Sequence, residues 1–237
     1  DQALACVQQA SANARDLAHA FPLGFALTIG ELHVHQLRRE PDAMRATLRQ
    51  LETLSPNVDQ GILHLWMTII RGWLTTVEDH DPAGLPPMQQ IFDRGEITDT
   101  QGGSAYIYLL LAEAYLALGQ VETAHTTLEH NLAHINETGL RFFEAETLRR
   151  QGEVLRKLNR PGDAETYFQR AIAVAQEQAA RSWELRAMMS LYKLRQAEGP
   201  QTELTTARQQ LAEIYDWFTE GFDTPDLQEA AALLRQV

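Results

Sequence analysis

Tyr108-Leu-Leu-Leu-Ala-Glu-Ala-Tyr-Leu-Ala-Leu-Gly119, Leu148-Arg-Arg-Gln-Gly-Glu-Val-Leu-Arg-Lys-Leu-Asn159 and Met188-Met-Ser-Leu-Tyr-Lys-Leu-Arg-Gln-Ala-Glu-Gly199 align without a gap, forty residues apart. Self-similarity at a fixed step of this size marks a stack of identical supersecondary units, because one unit cannot bury its apolar face alone. Stepping back from Ala112 by the same interval reaches Gly72 in Ile69-Ile-Arg-Gly-Trp-Leu74, and then Leu32 in Gly30-Glu-Leu-His-Val-His35. Five helix hairpins thus share one register.

In each unit the first helix is followed by a tight turn and a second helix with a small residue, then a large apolar one four positions later. Ala124 with Leu128, and Ala164 with Phe168, carry this pattern. A small residue on each helix lets the backbones approach, and the larger side chain one turn on fills the space beside them. Pro161 suits a helix start, where its missing N–H has no intrahelical partner to lose. Gly119, Gly139, Gly199-Pro200 and Gly221 read as stops, and Thr224-Pro225-Asp226 as an N-cap with an acidic first turn. The pattern predicts twelve helices, at 1–20, 23–39, 42–54, 60–78, 85–95, 103–118, 121–138, 142–158, 161–178, 182–198, 201–220 and 224–236. Pro86-Pro87 is expected to delay the fifth, and the loop from Glu96 to Gly103 to be the most mobile. The expected organisation is one all-α domain over 1–237: a second helix of a truncated hairpin at 1–22, hairpins at 23–59, 60–102, 103–141, 142–181 and 182–222, and a capping helix at 223–237. Its opening at Asp1, inside a hairpin, points to a segment of a longer array.

Composition supports helices and narrows function. Ala, Leu, Gln, Glu and Arg dominate, and straight-chain residues lose little rotamer freedom in a helix. The 32 acidic and 20 basic residues leave a formal charge of -12, and neither half is basic, with 13 acidic to 7 basic up to Thr100 and 19 to 13 after it. Direct nucleic-acid binding, which needs a positive footprint, is therefore not expected. Cys6 is the single cysteine, so no internal disulfide or cysteine zinc site can form. The apolar stretch from Ala105 to Leu118 is broken by Glu113 and too short for a bilayer. A cytoplasmic location without membrane contact is the expectation.

The small-residue, aromatic and turn positions resemble the tetratricopeptide (TPR) pattern, with a longer period that implies longer helices. His35-Gln-Leu-Arg-Arg-Glu-Pro41, Arg71-Gly-Trp73, Leu110-Leu-Ala-Glu-Ala-Tyr115, Ser182-Trp-Glu-Leu-Arg-Ala187 and Tyr215-Asp-Trp-Phe-Thr-Glu-Gly-Phe-Asp-Thr-Pro-Asp-Leu227 sharpen the likeness. Together they resemble the C-terminal TPR-like region of large bacterial signalling proteins, where a nucleotide cyclase or DNA-binding module precedes a STAND-type ATPase and a helical solenoid. The resemblance implies a tetratricopeptide-like α-solenoid that binds and does not catalyse, the chemistry residing in the upstream modules. Departures are Tyr192 where earlier repeats have Gly or Ala, Pro86-Pro87 in a second helix, and a longer stretch from Gly199 to Tyr215.

No catalytic, metal or cofactor site is expected. A Gly-x-x-x-x-Gly-Lys-Ser/Thr phosphate loop, a nucleophile elbow and a His-Glu-x-x-His motif are all absent. His33 and His35 are two apart and diverge on a helix, whereas His130 and His134 share a face with Glu137 nearby but have no third ligand at confirming spacing. Glu113 and Glu153 hold equivalent places and could form an acid pair, but a repeated surface residue needs no reaction to explain it. Trp217, Phe218 and Phe222 read as a staple over the last helix.

A ligand is expected along the first helices, which line the concave side of stacked hairpins. One row there is His33, Trp73, Glu113, Glu153 and Lys193; a turn earlier lie Ile29, Ile69, Leu109, Arg149 and Met189, and a turn later Gln36, Thr76, Leu116, Arg156 and Gln196. The expected groove runs from apolar around Trp66, Ile69, Trp73 and Tyr106 to charged around Glu113, Arg149, Glu153, Arg156 and Lys193. An amphipathic protein or peptide partner, or the upstream modules of the same chain, would suit it. Self-assembly of the parent protein is the alternative.

Overall fold

The computed structural model describes residues 1–17, 20–54, 61–93 and 103–236. These form twelve helices and, among the described residues, no strand. The chain divides into two compact units, Asp1–Glu96 and Ile97–Val237.

The first unit holds α1 (Gln2–Asp16), α2 (Ala20–Phe25, continuing through Ala26–Leu32 and His33–Leu37), α3 (Pro41–Leu54), α4 (Gly61–Trp73, continuing as Leu74–Glu78) and α5 (Leu85–Asp93). Helices α2 and α3 form one hairpin, with Leu27, Leu32, Met44, Leu48 and Leu51 buried. Helices α4 and α5 form the next around Ile69, Ile70, Met88 and Ile91. Gly72 is needed where they cross: a methyl group there would stand 2.5 Å from Met88 Cγ and 2.6 Å from the Gly84 carbonyl. Pro86 and Pro87 do not delay α5. They occupy its first turn, where no N–H is needed, after a 3₁₀ turn at Pro82–Gly84.

The second unit contains α6 (Gly103–Ala117), α7 (Val121–Thr138), α8 (Glu144–Lys157), α9 (Pro161–Glu177), α10 (Arg181–Glu198), α11 (Gln201–Asp216) and α12 (Pro225–Arg235). Each helix packs on its neighbours in the chain. The first helices of the hairpins, α6, α8, α10 and α12, also touch one another in sequence. Helices α7, α9 and α11 have no comparable mutual contact, so they form the outer, wider-spaced layer.

The forty-residue register is built into the packing. Sixteen residues separate each close-packing residue from the side chain it meets in Gly72–Met88 and Gly152–Phe168. Leu32 and Leu48, and Ala112 and Leu128, have the same spacing and are all buried. The last hairpin departs from this. Tyr192 fills the small-residue position, 2% exposed, and the buried small–large pair on α11 is Ala207 and Leu211, three residues beyond the expected places. Helix α11 ends at Asp216 and not at residue 220 as predicted, because Trp217 caps it and the chain turns toward Gly221 at φ +75°.

The turns between first and second helices repeat as closely. A left-handed residue stands at Arg39, His80, Gly119 and Asn159, and in each turn the next N–H reaches back to a carbonyl near the helix end. Glu40 reaches His35, Gln120 reaches Tyr115 and Arg160 reaches Leu155, each five residues back at 2.9 Å. Asp81 reaches six back, to Thr75, also at 2.9 Å. The extra residue follows a π-helical turn at Leu74–Glu78, whose hydrogen bonds span one more residue than those of an α-helix. A second π segment, Ala26–Leu32, lies within α2. Neither was readable from the spacing of apolar residues. The loop expected between Glu96 and Gly103 falls almost wholly outside the described residues.

Candidate functional site

In the second unit the first-helix face carries a ladder of polar side chains. Four positions forty residues apart, Tyr106, Glu146, Arg186 and Asp226, form one row across α6, α8, α10 and α12. Arg186 donates to Asp226 at 2.6 Å and lies 3.9 Å from Glu146 on its other side. A second set is joined diagonally: Glu113 accepts from Arg150, Ser190 donates to Glu153 at 2.7 Å, and Lys193 donates to Glu229. The sequence separations are 37, 37 and 36, so the same rung recurs at each junction between first helices.

At the centre, Arg149 grips Glu146 with two parallel bonds, Nε to Oε2 at 2.7 Å and Nη2 to Oε1 at 2.6 Å. Both residues are buried, at 8% and 4% exposure, and such a fork is the geometry that best repays desolvation. Burial by itself would raise the Glu146 carboxyl, but Arg149 foremost, with Arg150 and Arg186, holds it down at about 2. Glu153 is likewise desolvated yet stays below its ordinary range through Arg149, the Ser190 hydroxyl, Arg150 and Arg156. Burial, reinforced by the charge of Glu113, raises the Tyr106 phenol well above its usual value, so it remains protonated.

An aromatic column runs beside these charges. Tyr106 stacks on Phe143 with centroids 5.1 Å apart, Phe143 meets Trp183 at 6.4 Å, and the Arg186 guanidinium lies 5.1 Å from the Trp183 centroid. Phe143 and Trp183 are themselves forty residues apart. The face thus offers partly exposed rings beside charges that are already oriented by one another.

The structure sorts the residues expected to line the groove. Trp66, Ile69, Trp73 and Tyr106 are buried within their units, and Arg149 is buried in its pair with Glu146. Glu113 and Glu153 are largely covered, whereas Arg156 and Lys193 reach solvent. In the first unit His33 is T-shaped against Trp66 at 4.8 Å and donates to the Thr28 carbonyl at 2.9 Å. Desolvation keeps its ring below the usual histidine value. Sequence reading passed over Glu146, Arg186, Asp226, Phe143, Trp183 and Ser190 as site residues. Extending the Arg149 row one turn toward the helix start reaches the first three.

No group of three or more His, Cys, Asp or Glu is assembled as a metal would need among the described residues. His134 is hydrogen-bonded to Ser104 at 2.7 Å, and His125 accepts from Gln151 at 2.6 Å. Of the terminal aromatics, Phe218 packs against the core with Leu227 and Leu233, while Trp217 and Phe222 are 57% and 48% exposed.

Residues 103–177 match the family model of the tetratricopeptide repeat. The matched span is α6 through α9, the two most regular hairpins. Among solved structures, PilW, described as a widely conserved type IV pilus biogenesis factor, is similar with a TM-score of 0.56 and 15% identity, covering 88% of this chain and 82% of its own. BtubC (BKLC) from P. vanneervenii gives a TM-score of 0.50 and 18% identity, covering 98% of this chain and 80% of its own. At such identities the likeness is one of fold. No curated protein matches the chain. The fold class is all-α, with tetratricopeptide-like solenoid hairpins, and folds of this kind typically serve as protein-binding scaffolds. No described helix is long and apolar enough to cross a membrane.

Proposed function

We propose that this chain is a non-catalytic binding segment of a larger bacterial signalling protein, with a STAND-type ATPase and a cyclase or DNA-binding output module elsewhere in the parent. The reading takes 1–237 as one repeat domain working in the cytoplasm. Its partner is a protein or peptide, or the upstream modules themselves, held on the first-helix face of α6, α8, α10 and α12. One observation carries the proposal: aromatic and charged side chains recur there at one register and are fixed by bonds between successive helices. A surface whose side chains are already ordered loses less entropy on binding. Trp183, Arg156 and Lys193 are the accessible groups that would meet the ligand, and Arg149, Glu146, Glu113 and Glu153 would position them. Ion-pair networks joining successive repeats also give a physical route by which occupancy could alter repeat packing.

The test is affinity for the purified upstream modules of the parent chain. Trp183→Ala with Arg156→Glu is expected to weaken binding at least about tenfold, the scale of one aromatic anchor. Unchanged affinity in a folded double variant sinks the assignment. A second reading, self-association, draws on exposed Leu17, Phe21 and Phe25 in the first unit, where the two phenyl rings stand 6.4 Å apart. Light scattering decides it: a strictly monomeric chain at high concentration excludes it.

A further inference from the structure

The second unit gathers its exposed apolar side chains on one edge. Among its described residues the large hydrophobic side chains most open to solvent are Phe142, which is 71% exposed, Trp217 and Phe222. All three stand where a second helix passes to the next first helix: Phe142 between α7 and α8, Trp217 and Phe222 between α11 and α12. Phe142 and Phe222 are eighty residues apart, two steps of the repeat. The opposite edge, with the turns at Gly119, Asn159 and Gly199, has no exposed large apolar side chain among the described residues. Single surface hydrophobics are ordinary, but a set confined to one edge marks an interaction surface.

The turns that carry these rings are braced. Arg141, beside Phe142, forks onto Glu177 with two bonds of 2.9 Å and also donates to Glu144, while the Gln178 amide donates to the Arg141 carbonyl at 2.8 Å. Arg181 continues the edge: it donates to Glu184 at 2.7 Å, and its guanidinium lies 5.6 Å from the Trp217 centroid. Trp217 meets Phe218 at 5.3 Å and Phe222 meets Tyr215 at 5.9 Å, both T-shaped. An aromatic anchor that is fixed before binding loses little entropy when a partner arrives.

Charge and backbone chemistry select that partner. The stretches 137–144, 177–184 and 216–223, which build the edge, hold seven acidic residues and two arginines. Both arginines are already engaged, Arg141 by Glu144 and Glu177 and Arg181 by Glu184. Glu137, Asp216 and Asp223 are exposed and have no ion pair among the described residues. The charge left over is negative, so the complementary partner is basic. A second copy would set like charge against like, and an anionic bilayer would be repelled. The turns offer an extended chain no ladder to join, since the Ala179 carbonyl already accepts from the Arg181 N–H and the Gly221 carbonyl from the Thr224 N–H and hydroxyl. A helix, bonded internally, needs no such ladder. Packed helices lie about 8–10 Å apart, so the edge from α8 to α12 is about 16–20 Å long, the reach of three to four helical turns.

We infer that this edge docks a basic amphipathic helix of a partner protein, its apolar stripe on Phe142, Trp217 and Phe222 and its flanking Lys or Arg side chains toward Glu137, Asp216 and Asp223. The edge adjoins the first-helix face, but its anchors lie outside the column of Tyr106, Phe143 and Trp183, and the inference does not rest on that face.

The experiment is selection of a display library of amphipathic helices, randomised at their charged and apolar positions, on the purified chain, followed by affinities of the enriched helices for the wild type and variants. Phe142→Ser and Trp217→Ser both alter exposed positions, and thermal melts confirm that each variant is folded. The expected result is enrichment of helices rich in Lys or Arg whose affinity falls about tenfold or more with either variant, and a few-fold with Asp216→Asn plus Asp223→Asn. Failure to enrich any helix overturns the inference. So does enrichment of acidic helices. Helices indifferent to Phe142→Ser and Trp217→Ser but lost with Trp183→Ala and Arg156→Glu also overturn it, while favouring the first-helix face. Binding to phosphatidylcholine vesicles, or a dimer in light scattering, that disappears with Phe142→Ser would assign the edge to a membrane or to a second copy and overturn it likewise.

Discussion

Replacing Gly152 with alanine tests whether the close approach of α8 and α9 carries the packing of the second unit. A methyl group there would lie 2.5 Å from Phe168 Cε1, 2.7 Å from Cδ1 and 3.0 Å from Cζ. Phe168 is fully buried, so its ring has little room to yield. Overpacking of this kind costs about 1–3 kcal/mol, offset by the roughly 1 kcal/mol that alanine gains over glycine inside a helix. The expected net loss is about 1 kcal/mol, a fall of a few degrees in Tm, roughly 2–4 °C at this size. The preceding hairpin supplies the remedy, since Ala112 and Leu128 occupy the equivalent places and are both buried. Phe168→Leu alone should also destabilise, by leaving space beside Gly152. Gly152→Ala with Phe168→Leu should then cost less than the two singles together, with a favourable coupling of about 1 kcal/mol. Urea melts of the four proteins close the cycle. A neutral Gly152→Ala, or a strictly additive double variant, would refute the idea that the sixteen-residue small–large pair sets helix separation.

Ala179 is held at φ +53° without being glycine, so Ala179→Gly is expected to stabilise the chain by about 0.5–1 kcal/mol after its entropic cost, read by thermal melting. Gly119→Ala, at φ +72°, should do the opposite by a similar amount. Glu146 is depressed on folding from an ordinary 4.5 to about 2, so its stabilising contribution is present above the unfolded value and is lost as pH falls through about 2. The drop is on the order of 3 kcal/mol, and Glu146→Gln should flatten it in urea melts across that window while costing about 3–5 kcal/mol at neutral pH by stranding Arg149.

The forty-residue register was legible because close packing tolerates few residue types: Gly72, Ala112 and Gly152 announce where helices cross, and Leu128 and Phe168 answer the last two, whereas Met88, the partner of Gly72, emerged only in the structure. Helix starts were legible for the same reason at Pro161 and Pro225, which fit only a first turn. What stands over a helix face is another matter. Periodicity aimed Trp66, Trp73 and Tyr106 toward a groove, whereas the structure buries all three, because direction on a helix does not report what covers it. The bonds from Glu113 to Arg150 and from Ser190 to Glu153 were equally hidden. They join positions 37 residues apart, three short of the sequence step, so the repeat register alone does not pair them. The π turn left no mark in composition, since its signature is a shifted hydrogen bond.

That turn at Leu74–Glu78 bears on how the chain tolerates change in length. Removing one residue from an ordinary α-helix rotates everything beyond it by about 100°, carrying apolar side chains off their face. Here the surplus residue is confined to one wide turn just before the left-handed His80. Deleting a residue within the turn would return it to α geometry and leave Gly72 opposite Met88. The segment is thus a place where a single-residue insertion or deletion could be fixed by descent while every neighbouring hairpin kept its phase.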